Sequence, residues 1–418
     1  MSSTNNRAET LGDVASRAAQ GGDLGDVLAL LEQGFDPDAP DRHGFTFLAR
    51  AAQYDRLDLM RLLLDAGADP NAPCRWGLTP LMMVKSAEVA EALLAAGAEV
   101  NAVTQFNRSG MEPAKTALMK AAQGGRLAIV ELLLAHGADT EMRDSEGRSA
   151  LIDAAASGHA EVARVLVEAG ARVGLVEAAA LGDSTTVKAF LSAGADLDGD
   201  LTGSALWWAA GNGQAEAVRL LLDGGADVNA RVGRSVTALI QAALMGRTEV
   251  VKTLLARGAD VNAYDGRGAM ALHASLVSTV HGCKVDVVRA LLAAGAQVKA
   301  RTQFSWPTHT GGTALMEAAL HGATDCARAL IEYGADVEAV SDIDEDGVGG
   351  WTALLAAVAN NRLDTTRLLI ESGADVNNSG KDGRPPLTLA RSRARRTGNT
   401  EIIDLLVTAG ADGGGDAT

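Results

Sequence analysis

The sequence predicts an all-α solenoid of stacked helix-turn-helix units, with loop or β-hairpin fingers joining one unit to the next. Two observations carry that expectation. Gly-Ala-Asp or a near variant recurs at Gly34, Gly67, Gly97, Gly137, Gly170, Gly194, Gly225, Gly258, Gly295, Gly334, Gly373 and Gly410. Each copy closes a leucine-rich amphipathic stretch, and the spacing stays close to the 33 residues between Gly225 and Gly258. A period of that length belongs to a stacked array in which each unit leans on its neighbours for a core.

Each unit reads in the same order. Thr46, Thr79, Thr116, Ser149, Ser204, Thr237, Thr313 and Thr352 stand just before an apolar run, where a hydroxyl can cap the free amides of a first helix. A pair of small residues follows, as in Ala51-Ala52, Ala121-Ala122, Ala242-Ala243 and Ala318-Ala319, so neighbouring helices can approach closely. After a turn, the second helix carries apolar residues at helical spacing, as in Ile129, Val130, Leu132, Leu133 and Leu134, or Val250, Val251, Leu254 and Leu255. Its closing glycine supplies a left-handed cap, and Asp-Val-Asn-Ala, as at 227–230 and 260–263, leads into the next finger.

The clearest copy is Asp144-Ser-Glu-Gly-Arg-Ser-Ala-Leu-Ile-Asp-Ala-Ala-Ala-Ser-Gly-His-Ala-Glu-Val-Ala-Arg-Val-Leu-Val-Glu-Ala-Gly-Ala. It resembles the ankyrin repeat, and the resemblance extends over residues 11–413. That likeness implies a non-enzymatic scaffold that binds a protein partner in the groove between the fingertips and the exposed face of the first helices. The matching positions are Arg42, His43, Phe45, Arg75, Trp76, Arg234 and Arg267 on fingers, and Gln53, Tyr54, Leu244, Met245, Leu320 and His321 on helices. Aromatic, methionine and arginine side chains suit interface anchors. Trp208 matches a position often aromatic in the family and reads as packing. Trp207 replaces the family's usual histidine and is divided between core and groove. That histidine remains as His273, with Ala49, Met82, Met119, Ile152, Ile240, Met316, Leu355 and Thr388 elsewhere.

Composition narrows the function further. Apolar residues make up 47% of the chain and aromatics 3%, so the core is built of Ala, Leu and Val. The excess of 53 acidic over 37 basic side chains, net −16, argues against nucleic acid and is compatible with a basic partner. No stretch reads as a membrane span, and the first ten residues lack the apolar core of a secretory signal, so a cytoplasmic monomer is expected. Three widely spaced cysteines, Cys74, Cys283 and Cys326, suggest reduced thiols. The basic run 391–396 complements the negative end of its own helix.

Departures from regularity define two blocks. Only 24 residues separate Gly170 from Gly194, which leaves no room for a finger. The expected organisation is a tail at 1–10, a five-repeat block at 11–173, a seven-repeat block at 174–413 and a tail at 414–418. The third unit is trimmed by Met83-Val-Lys-Ser-Ala-Glu, which lowers its local stability, while Ser278-Thr-Val-His281 stretches the ninth between its helices.

Two long fingers, 103–115 and 301–312, share Thr-Gln-Phe at Thr104 and Thr302 and bring Phe106, Arg108, Phe304, Trp306 and His309 to the binding side. Long loops on a regular scaffold carry function more often than core elements do. A third, from Ser341 to Trp351, holds Asp342, Asp344 and Asp346 before Gly347. It resembles the first half of a calcium loop, but Ala353 stands where the bidentate acid belongs, so an acidic fingertip and no metal is expected.

The seven histidines are scattered, His136 and His159 fall at repeat cap and turn positions, and no phosphate loop or nucleophile motif stands out. No cofactor and no catalytic residue is expected. Two other readings stay open: an inhibitor or immunity-type protein neutralising a basic toxin or enzyme, and, more remotely, an enzyme site between the long loops using Arg108 and His309.

Overall fold

The computed structural model describes residues 24–412 apart from 35, 75–76, 105–113, 146, 196–204, 234, 267, 278–282, 302–311, 343–349 and 382. The chain divides into two compact units, Met1–Glu177 and Ala178–Thr418. In each, a short first helix and a nine-residue second helix alternate, as in Ala117–Gln123 with Leu127–Ala135, or Ala238–Leu244 with Thr248–Ala256. First helices pack on the first helices of adjacent repeats and second helices on second helices.

The hydroxyl caps form as the sequence predicts. Thr46, Thr116, Ser149, Thr237, Thr313 and Thr352 each accept from the amide three residues on. Thr79 departs from the expectation. Pro80 follows it, the first helix shrinks to a single 3-10 turn at Pro80–Met83, and the Met82 amide donates to the Thr79 carbonyl instead. The Thr79 hydroxyl is left buried without a hydrogen-bond partner.

The alanine pairs after the caps are almost wholly enclosed, with Ala52, Ala122, Ala318 and Ala319 at 0% exposure. A leucine in most second helices, including Leu63, Leu133, Leu221, Leu254 and Leu330, is likewise fully covered. Burying each such side chain stabilises the array by roughly 2 kcal/mol. The apolar stripe is one-sided: Ile129, Val130 and Leu133 are buried, whereas Glu131 and Ala135 of the same helix are exposed. All twelve closing glycines have positive φ, from 76° at Gly194 to 100° at Gly225, where a side chain would be strained.

Each finger is pinched shut at its base. Asp41, Cys74, Asp144 and Asp265 donate their amides to the carbonyls of Phe45, Leu78, Arg148 and Ala269. The long fingers reuse this closure. Thr104 and Lys115 exchange backbone and hydroxyl bonds, Ser341 and Trp351 do the same, and Arg301 bridges Thr313. A two-residue antiparallel ladder, Arg231–Val232 with Val236–Thr237, is a hairpin in the strict sense. Between Ala171 and the helix Leu175–Leu181 there is no hairpin.

The asparagine two residues after the acid that follows Gly-Ala, as in Asp-Val-Asn-Ala, ties successive repeats together. Asn71 donates to the Gly97 carbonyl at 3.0 Å and accepts from the Glu99 amide at 2.7 Å. Asn101, Asn229, Asn262 and Asn377 make the same two bonds one repeat onward. Asp38, Glu141 and Glu338 keep only the accepting half. Asn71→Ala removes both bonds and is expected to cost about 1–2 kcal/mol, read as a lower midpoint in urea with unchanged slope.

The cysteine expectation is corrected here. Cys283 and Cys326 form a disulfide across 43 residues, with Cα atoms 6.9 Å apart. Cys283 lies just before helix Val285–Ala293, which packs beside helix Thr324–Glu332 bearing Cys326, so stacking brings together residues that sequence spacing kept apart. The bridge removes the argument from cysteine number for a reducing compartment. Cys74 is free and buried, and burial pushes its thiol up to about 11.

Candidate functional site on the finger side

The residues expected to anchor a partner divide into those within the described chain and those outside it. Arg75, Trp76, Phe106, Arg108, Arg234, Arg267, Phe304, Trp306 and His309 lie outside the described residues, as do Asp344 and Asp346 of the acidic finger. Arg42, His43, Phe45, Tyr54, Trp207, Met245 and His321 are described. Arg42 donates to the His43 ring at 3.1 Å, and both side chains are exposed. Tyr54 is exposed at the end of its helix, while Met245 and Trp207 are half-buried. The Trp207 ring meets Trp208 edge to face at 4.8 Å, but its indole N–H is buried without an acceptor. Trp208, at 6% exposure, is core.

A recurring polar position, four residues after the capping hydroxyl, organises the inner face of the first helices. In the first unit it is Arg50, which donates to Asp41 at 2.8 and 2.9 Å and to Gln53, with the Phe45 ring 4.1 Å away. Burial raises the Asp41 carboxyl, but the Phe45 amide and Arg50 outweigh it and hold the group below the usual carboxylate range. Asp153 occupies the same position and receives Lys115 on both oxygens, at 3.1 and 3.0 Å. Burial nevertheless pushes its carboxyl up, with Lys115 opposing.

In the second unit that position is Glu317, which sequence reasoning did not single out. The signal was there: one acid inside the otherwise apolar run Ala314-Leu-Met-Glu-Ala-Ala-Leu320. Its side chain is 8% exposed, and burial pushes the carboxyl up to about 7. His321 Nε2 stands 3.8 Å away, held below its usual pKa by burial and by the Arg362 charge. His273 is 2% exposed, and burial lowers its pKa to about 4, with the backbone of Ala300 and the Asp265 charge opposing.

Fingers also clasp their successors. Arg231 donates to the Tyr264 carbonyl at 2.7 Å with its guanidinium 5.8 Å from that ring, and Arg301 donates to the equivalent Val340 carbonyl at 2.7 Å. Arg301 also lies 3.5 Å from Asp342. Among the described residues, no three His, Cys, Asp or Glu side chains converge to hold a metal ion. No helix among them is long and apolar enough to cross a membrane.

Comparison with known families decides the kinship. The profile described as ankyrin repeats (3 copies) matches residues 85–177, 175–265, 264–341 and 340–414, and one described as ankyrin repeats (many copies) matches 30–84. The chain belongs to the ankyrin-repeat family. A matching solved structure is the human ASB11 ankyrin repeat domain, 29% identical, covering 50% of this chain and 84% of that one, with a TM-score of 0.41. No curated protein matches this ankyrin chain. Ankyrin repeats mediate protein–protein interaction, and the caps, closing glycines and fingers described above are the repeat's own parts.

Proposed function

We propose that this ankyrin protein is a non-enzymatic scaffold that docks a partner protein on its finger side, against the fingers and the inner face of the first helices. The aromatic groups of the finger side carry the reading. On the second helices, exposed charges satisfy each other along the helix: Arg164 with Glu161 and Glu168, Arg219 with Glu216, Lys252 with Glu249. The same set of helices also exposes Leu28, Val167 and Val407, with Tyr333 at the end of one of them. The finger side presents a larger aromatic set, Tyr54 at 37% and Tyr264 at 56% exposure, with half-buried Trp207, Met245 and Trp351. Aromatic anchors of this kind concentrate binding energy.

Tyr264→Ala tests it against Lys252→Ala as the outer-face control, each scored for melting temperature and for recovery of the partner captured by the wild-type chain. Loss of an anchor weakens binding by about thirtyfold, or ~2 kcal/mol, without early melting. Equal recovery by Tyr264→Ala and wild type would remove Tyr264 from the interface.

A further inference from the structure

Glu317 shares its place in the repeat with Arg50 and Asp153, and each of those has a counter-charge supplied by a finger of the first unit. Glu317 has none. It is 7% exposed, and its Oε2 is buried without a hydrogen-bond partner. It opens on a small cleft whose other walls are Gly312, Met316, Leu320, Ser341, Trp351 and Ala356.

The charged groups around the cleft do not fill the role. His321, on the same helix, has its pKa lowered by burial and by Arg362, and its Nε2 makes no hydrogen bond. Arg362, from the next repeat, donates to the Leu320 carbonyl. Arg301 on the preceding finger pairs with Asp342 and the Val340 carbonyl. A buried carboxylate without a cation is costly, so the group keeps its proton to higher pH than an exposed glutamate and a cation would lower that midpoint. The cleft has room for little more than a water-sized group, which suits a compact ammonium head better than a planar guanidinium.

We propose that this cleft receives the ammonium group of a lysine side chain of the partner protein, with Glu317 as counter-ion and Trp351 as the wall along which the lysine stem lies. The inference rests on the finger-side docking reading. Docking transfers the Glu317 proton to solvent and leaves a carboxylate–ammonium pair, so binding and the Glu317 titration are linked.

The test uses the full-length chain with ¹³C-labelled glutamate carboxyls and two probes at constant ionic strength, Nα-acetyl-lysine amide and its Nε-acetylated form. The charged probe is expected to lower the Glu317 titration midpoint by about one pH unit at saturation and to move the Trp351 indole resonance. That corresponds to roughly tenfold tighter binding to the carboxylate than to the acid. The acetylated probe does neither, and Glu317→Gln abolishes the Trp351 response while its melting curve reports that the chain is folded. An unmoved midpoint in the wild type, or an equal response to the acetylated probe or to Nα-acetyl-arginine amide, overturns the proposal. If these probes fail while Tyr264→Ala still weakens partner recovery, the cleft assignment alone falls; if Tyr264→Ala binds like wild type, the docking face itself is wrong.

Discussion

Glu317→Gln is expected to be more stable than the wild type at pH 8 and equal to it at pH 4. Burial raises the folded carboxyl from 4.5 to about 7. Below 4.5 the acid is protonated folded or unfolded, so its contribution is fully present there. As pH rises the unfolded chain gives up the proton first, and the stabilisation is lost progressively until the folded pKa is passed. The gap between 4.5 and about 7 amounts to about 3 kcal/mol at ~1.4 kcal/mol per pH unit. Glutamine keeps the shape and cannot ionise, so its advantage should grow from pH 4.5 to 7 and then level off. Urea denaturation at pH 4, 6 and 8 measures it. A variant that tracks the wild type at all three would mean that Glu317 is already paired or solvated.

His273→Leu is expected to act in the opposite pH range, removing an acid sensitivity. The folded imidazole sits at about 4 against 6.5 for the free side chain. Its contribution is present above 6.5 and is lost as pH falls through 4, because the unfolded chain takes up a proton that the folded one refuses. The span again corresponds to about 3 kcal/mol. Leucine suits the position, since Met119, Ile152, Ile240 and Leu355 occupy it in other repeats at 0–3% exposure. The variant should match or exceed the wild type at pH 7 and exceed it clearly at pH 4. An unchanged difference across that interval would show that His273 is solvated or hydrogen-bonded in the folded chain.

The sequence made the repeat legible because its signals are local. A hydroxyl cap acts on an amide three residues away, a glycine serves its own φ, and a helical stripe lies within nine residues. What needed the neighbouring repeat was not legible. Asn71, like its counterparts in Asp-Val-Asn-Ala, looks like a turn residue until its two bonds to Gly97 and Glu99 are seen. Thr79 carries the cap signature, but Pro80 and a shortened helix send the Met82 amide to a backbone carbonyl. Cys283 and Cys326 are far apart in sequence and meet only through stacking. Glu317 becomes distinctive only beside Arg50 and Asp153, whose partners come from fingers. For the binding face, sequence reading named Tyr54, Met245 and His321, which are described on the first-helix side, and passed over Tyr264 and Trp351.

The finger-side interface is tested most directly by a photo-crosslinking amino acid placed singly at Tyr54, Met245, Tyr264 and His321, and at Arg164, Arg219 and Lys252 on the second helices, in the full-length chain in its native cell. Illumination followed by mass spectrometry should give covalent adducts to one and the same partner from the first set and none from the second. Adducts concentrated at Arg164, Arg219 and Lys252, or none from any finger-side position, would contradict the account.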